Sequence, residues 1–165
     1  MLYKRTGIRT GGVLAVLAAL SFGGVAGAAD LAPRDGWEIY PSAKSYEALL
    51  ESTRAAIKSN GLIVVTQAGP TEAAARRGVT IPGNRVIGAF NNEYAVRVLE
   101  TSTAAMIEAP IRFYVTENQD GTATLSYKTP SAVFEPYLDE GGAKLADIAD
   151  ELEARFADIV EDAVR

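Results

Sequence analysis

The chain has 165 residues, with 16 Lys and Arg against 21 Asp and Glu and a formal net charge of −5 at pH 7. It contains no Cys and no His. These absences exclude Cys nucleophiles and Ser-His-Asp triads, and they remove most routes to zinc, copper, haem and iron–sulfur ligation.

The first 28 residues read as a secretory signal peptide. Lys4, Arg5 and Arg9 give a basic start, and residues 12–25 are uncharged and mostly apolar. Ala26-Gly27-Ala28 then offers the small residues a signal peptidase inspects, so cleavage is expected after Ala28 and a periplasmic or secreted location follows. The apolar run falls short of the ~20 mostly apolar residues that a membrane span requires, although retention as an anchor is left open. Removing this segment leaves 137 residues with 13 Lys and Arg against 21 Asp and Glu, a charge of −8. That length suits one domain with its own core, and that charge disfavours nucleic acid and anionic lipid as partners. Without Cys there is no disulfide framework, so burial must stabilise the fold. A carboxylate site for Ca²⁺ or Mg²⁺ is conceivable, but no Asp-x-Asp-x-Asp-Gly loop is present. No metal or cofactor is expected.

Residues 29–36 form a lead-in broken by Pro33 and Gly36. Residues 37–40 can make a short first strand. Ser45 is placed to cap a helix reaching Asn60, in which Tyr46, Leu49, Leu50, Thr53 and Ile57 form one stripe. Asn60-Gly61 supplies its stop. Residues 62–66 are β-branched and continuous, which predicts a buried strand. After the Gly69-Pro70 break, Thr71 can cap a short helix through Ala75 to Arg77, ended by Gly78. Residues 81–84 read as a turn and residues 86–90 as the next strand. Asn91-Asn92 opens a helix with Ala95, Val98, Leu99 and Ser102 on one face. Asn92 is the expected cap, with Glu93 in the first turn.

Residues 111–117 and 122–128 are the clearest hairpin, joined through Asn118-Gln119-Asp120-Gly121. Ile111, Phe113 and Val115 alternate with Arg112, Tyr114 and Thr116. Ala123, Leu125 and Tyr127 alternate with Thr124, Ser126 and Lys128, so each strand offers one core face and one polar face. Pro130 and Pro136 bracket an expected linker, and Gly141-Gly142 is a second break. From Ala143 onward, Leu145, Ile148, Leu152, Phe156 and Ile159 recur at helical spacing. The expected fold is α+β: a two-layer sandwich with helices on one side of a mostly antiparallel sheet, ending in a long amphipathic helix. Residues 37–137 form the α+β domain in this reading, and residues 138–165 a linker and C-terminal helix.

Five short motifs, taken in order, carry a family resemblance. Gly61-Leu62 opens a strand after a helix. Gly88-Ala89-Phe90-Asn91-Asn92 ends a strand before a helix. Ala109-Pro110-Ile111 enters another strand, the segment from Glu117 to Gly121 makes an acidic-Gly turn, and Ser126-Tyr127-Lys128-Thr129-Pro130 closes the series. In this order they resemble the domain of unknown function 302 family. The resemblance implies a compact α+β domain and association as a homodimer, and it implies no activity. The chain departs from the family's pattern at Gln67-Ala68-Gly69-Pro70, where many members carry a His. It departs again at Phe90 and Ile111, where others carry Cys, and Asn92 replaces a Pro. Imidazole or thiol chemistry found in relatives therefore does not transfer.

Four side chains stand out as ligand-binding candidates. Asn91 lies where a strand meets a helix N-terminus, a place suited to anions and equally to a cap. Tyr127 offers a phenol that is either a pocket wall or core packing. Arg112, with Lys128 and Tyr114 on the polar face of the hairpin, can hold an acidic group or form a solvated face. Glu108, just before Ala109-Pro110, is a carboxylate open to desolvation. The preferred reading is a non-catalytic exported module that binds a small molecule or a protein. One alternative is an enzyme in which Glu108 or Glu117 meets Tyr127 or Arg112. The other is a structural homodimer of the cell envelope.

Overall fold

The computed structural model describes residues 31–165. The expected signal peptide and its cleavage site therefore lie outside the described residues. The elements run β1 (Trp37–Ser42), α1 (Tyr46–Ser59), β2 (Ile63–Ala68), α2 (Thr71–Ala75), β3 (Asn84–Phe90) and α3 (Asn92–Thr101). A 3₁₀ turn at Ala105–Glu108 leads to β4 (Ile111–Glu117) and β5 (Ala123–Lys128). The chain ends with α4 (Pro130–Phe134), a second 3₁₀ turn at Glu135–Tyr137 and α5 (Leu138–Val164). The strands form one five-stranded antiparallel sheet in the order β1-β5-β4-β3-β2. This is the expected α+β sandwich.

Local chemistry sets the elements. The Ser45 hydroxyl accepts from the Ala48 amide and starts α1, and Gly61, at φ 78°, ends it in the left-handed region. The hairpin turn between β4 and β5 closes at Gly121, φ 82°. Its Asp120 carboxylate accepts from the Thr122 amide at 2.9 Å and the Thr122 hydroxyl at 2.6 Å. Those bonds, the hydroxyl's first, hold the Asp120 pKa below its ordinary value.

The helices cover one face of the sheet. α1, α3 and α4 all pack on α5, and α1 reaches β4 and β5. Phe113, Val115 and Leu125 from the sheet are fully buried against Leu49, Ile57, Leu145, Phe156 and Ile159 from the helices. Phe113 and Phe156 stack with ring centroids 4.4 Å apart and tie sheet to helix.

Three expectations need correction. β2 is not a buried strand: it is an edge strand, with Ile63 58% and Val65 45% exposed and a register shift between Val64 and Thr66. A β-branched run signals strand, but its place in the sheet depends on pairing order, which local sequence does not carry. The expected linker after Pro130 is instead α4 followed by a 3₁₀ turn. Pro130 occupies the first helical turn, where its missing N–H costs nothing, and the Thr129 hydroxyl accepts from the Ala132 amide at 3.2 Å. Finally, α5 starts before the Gly-Gly break, and Gly142 persists as a kink inside it at φ 55°, ψ −152°.

Among the described residues no helix is long and apolar enough to cross a membrane. The same residues contain no group of three or more His, Cys, Asp or Glu placed to hold a metal ion.

Candidate functional site on the free face of the sheet

Strand alternation sends Ile111, Phe113 and Val115 under the helices and Arg112, Tyr114 and Thr116 to the opposite face. The pairing registers then build rows across that free face. Trp37 pairs with Lys128, Gly88 pairs with Arg112, and Phe113 pairs with Tyr127. Carried one residue further, the β4–β5 register sets Arg112 opposite Lys128. One row therefore reads Trp37, Lys128, Arg112, Gly88 from β1 to β3. The next row reads Ile39, Ser126, Tyr114, Val86, and the one after it Pro41, Thr124, Thr116, Asn84.

A hollow of about 500 Å³ lies over these rows. Trp37, Lys128, Arg112, Tyr114, Asn84 and Glu108 are among its lining residues. The volume falls within the usual range for small-molecule sites. Two cations directly opposite each other on neighbouring strands destabilise the pair. The compensation is slight: Glu108 stands 3.8 Å from Arg112, on an exposed guanidinium, and Lys128 makes no ion pair among the described residues.

Neighbouring contacts hold the walls. Glu108 closes the 3₁₀ turn before the cis Ala109–Pro110 bond, and its Oε1 accepts a 2.8 Å hydrogen bond from the Tyr137 hydroxyl. That bond, followed by desolvation and the charges of Glu108 and Glu140, raises the Tyr137 pKa. At the other end, the Asn84 side-chain amide donates to the Tyr114 hydroxyl. The Arg34 guanidinium lies 5.2 Å from the centre of the Trp37 ring, a cation–π contact that holds the indole at the rim. At Gly88 an added Cβ would fall 2.2 Å from Thr66 Oγ1 and 2.7 Å from Pro110 Cγ, so the floor beside Arg112 admits only glycine.

The structure brings Arg112 and Glu108 together at this hollow. Tyr127 touches its edge, but its ring is turned into the core, edge-on to Phe113 at 5.6 Å and to Phe156 at 5.2 Å, and stacked beside Tyr40 at 6.2 Å. Burial, then the neighbouring Tyr40 hydroxyl, pushes the Tyr127 pKa far up. Asn91 lies elsewhere. Its Oδ1 accepts from the Glu93 and Tyr94 amides at 2.8 and 3.3 Å, and its Nδ2 donates to the Gly61 carbonyl at 2.9 Å. The cap of α3 is therefore Asn91 and not Asn92, and its side chain is occupied. The cavity beside it is apolar and about 40 Å³, room for about one water.

Glu117 is also engaged, accepting from the Gly83 amide at 2.6 Å. Glu108 does not reach Arg112 at hydrogen-bond distance, and Arg112 and Tyr127 project from opposite faces of the sheet. Trp37 and Asn84 were missed by sequence reasoning. Alternation on β1 could have placed Trp37 on one face with Ile39, but only the pairing order brings it beside Lys128.

These features define a compact α+β domain whose helices cover one sheet face and whose other face carries a cationic, aromatic-rimmed hollow. The family model for the domain of unknown function DUF302 matches residues 39–163, and the chain belongs to that family. A solved structure similar to it is a crystal structure of an uncharacterized conserved DUF302 protein from Bacillus stearothermophilus, with a TM-score of 0.69 and 20% identity. The match covers 80% of this chain and 100% of that one, and at this identity it speaks for the fold. No curated protein matches the chain.

Proposed function

We propose that the chain is an exported, non-catalytic module that binds a small, partly apolar anion on the free face of its sheet. One observation carries the reading: Arg112 and Lys128 stand side by side in a hollow of about 500 Å³ flanked by Trp37 and Tyr114. Adjacent cations raise the folding free energy unless an anion joins them, and aromatic rims add apolar contact. The envelope location rests on the leader at residues 1–28. The engaged states of Glu117 and Asn91 and the inward turn of Tyr127 leave few free groups for catalysis.

Native mass spectrometry of the protein purified from its own envelope fraction tests this. The expected spectrum shows an N-terminus at Ala29 and a co-purifying anion that is absent from the Arg112→Gln, Lys128→Gln variant. A ligand retained by that variant would move the site elsewhere.

A second reading, self-association, is favoured by the edge strand. Ile63 and Val65 on β2 are exposed apolar residues with no Pro or charge in the strand to guard the edge. Light scattering reports it directly. Ile63→Lys should abolish any dimer that uses this edge.

A further inference from the structure

Resting on the groove reading above, we infer that the ligand is an elongated monoanion, a carboxylate with an uncharged hydroxyl or carbonyl group at its far end. The groove has two chemically different ends. Arg112 and Lys128 form the cationic end beside Trp37. Asn84 lies in the row of Thr116, four residues along β4 from Arg112, which is about 13 Å at the usual strand rise. There the Asn84 amide and the Tyr114 hydroxyl bond to each other, and no charged side chain belongs to that row. Each partner keeps further hydrogen-bonding capacity: the amide has a second N–H and its carbonyl oxygen, and the phenol has its own proton.

The middle of the groove is uncharged. Of the row Ile39, Ser126, Tyr114 and Val86, Tyr114 and Val86 line the hollow, and Ser126 is buried with its hydroxyl turned to the Tyr114 carbonyl. A flat or extended apolar body suits that stretch. The charge of the head follows from the count at the cationic end. In formal count Arg112, Lys128 and Glu108, which all line this end, leave one positive charge, although the 3.8 Å spacing keeps the Glu108–Arg112 attraction itself slight. A single negative charge balances the remainder, which favours a carboxylate over a doubly charged phosphate ester. A guanidinium matches carboxylate and phosphate oxygens alike in geometry, so the charge count decides between them.

The test uses calorimetry on the full mature chain with defined probes. These are 4-hydroxycinnamate and 4′-hydroxybiphenyl-4-carboxylate, each beside its deoxy analogue, with 4-hydroxycinnamamide as the uncharged control and phenyl phosphate as the dianion. At least one hydroxyaryl carboxylate is expected to bind more tightly than its deoxy analogue by about fivefold, the worth of one hydrogen bond, and more tightly than phenyl phosphate. The amide control should bind at least about tenfold more weakly, and so should the carboxylate to Arg112→Gln or Lys128→Gln. Tyr114→Phe keeps the ring and should reduce the advantage of the hydroxyl, and Tyr114→Phe combined with Asn84→Ala, which removes both far-end partners, should erase it. Equal binding of hydroxy and deoxy probes, both lost in the Arg112 and Lys128 variants, would overturn the far-end assignment and leave the anion site standing. Tighter phenyl phosphate would overturn the monoanion. No binding of any probe, or binding indifferent to Arg112 and Lys128, would overturn the groove reading itself.

Discussion

The Tyr137 hydroxyl donates to Glu108 at 2.8 Å, joining the end of the second 3₁₀ turn to the end of the first across 29 residues. The same carboxylate faces Arg112 with its other oxygen. Glu108 thus couples the cationic end of the groove to the segment that leads into α5. Ser102 repeats the link nearby, its hydroxyl donating to Glu140 at 2.6 Å.

The phenols give a pH signature. Tyr127, Tyr40 and Tyr137 all have pKa values raised above the ordinary 10, the first two chiefly by burial and the third by its bond to Glu108. A group whose pKa is higher folded than unfolded contributes stability in full below its unfolded value and loses it as pH climbs through the folded value. Stability should therefore be level with respect to these groups up to about pH 10 and fall above it. In a spectrophotometric titration, the phenolate signal of Tyr127 should appear only together with alkaline unfolding. Ionisation of Tyr40, Tyr127 and Tyr137 near pH 10 with the fold intact would contradict this.

Asn91 tests whether a sequence candidate is a binding residue or a cap. Asn91→Ala removes two accepted amide bonds and the link to Gly61, and it should cost about 1–2 kcal/mol in urea unfolding. Asn91→Asp keeps the acceptor and should recover most of that loss. Anion affinity at the groove should be the same in both variants. A change in affinity without a change in stability would return Asn91 to the list of ligand contacts.

Gly88 is fixed by close approach and not by its dihedral angles. Gly88→Ala would drive a methyl group into Thr66 Oγ1 and Pro110, with an expected cost of about 1–3 kcal/mol. Adding Thr66→Ala should return part of it, because the two side chains compete for one space. Full additivity of the two changes would show that the crowding lies elsewhere.

Phe156 is the pivot of the aromatic cluster, fully buried and in contact with both Phe113 and Tyr127. Phe156→Ala should cost about 3–5 kcal/mol. Phe156→Leu should cost less by refilling part of the cavity. The comparison is made by chemical denaturation, and a loss below about 1 kcal/mol for the Ala variant would mean that the core closes over the space.

Much of this architecture is legible in the chain because its signals are local. Alternation from Ile111 to Lys128 gives the hairpin, its two faces and, through the shared register, the Arg112–Lys128 juxtaposition. Ser45 and Asn60-Gly61 mark α1 at both ends. What fails is information that exists only between elements. β2 reads as buried because a β-branched run looks alike at the centre and at the edge of a sheet. The proline pair at residues 130 and 136 reads as a linker because proline breaks helices in their interiors, while Pro130 sits at a start. The groove is half legible for the same reason: Arg112 and Glu108 are visible in one stretch, whereas Trp37 and Asn84 arrive from strands paired at long range.

The packing of α5 bears on how the molecule comes into being. This final helix meets α1, α3, α4 and β1, and residues as late as Ile159, Val160 and Ala163 are buried. On a ribosome the N-terminal portion emerges first, so the interior lacks this wall until residues 145–163 have followed. Until then Phe113, Val115 and Leu125 lack part of their cover, so a settled sheet waits on α5.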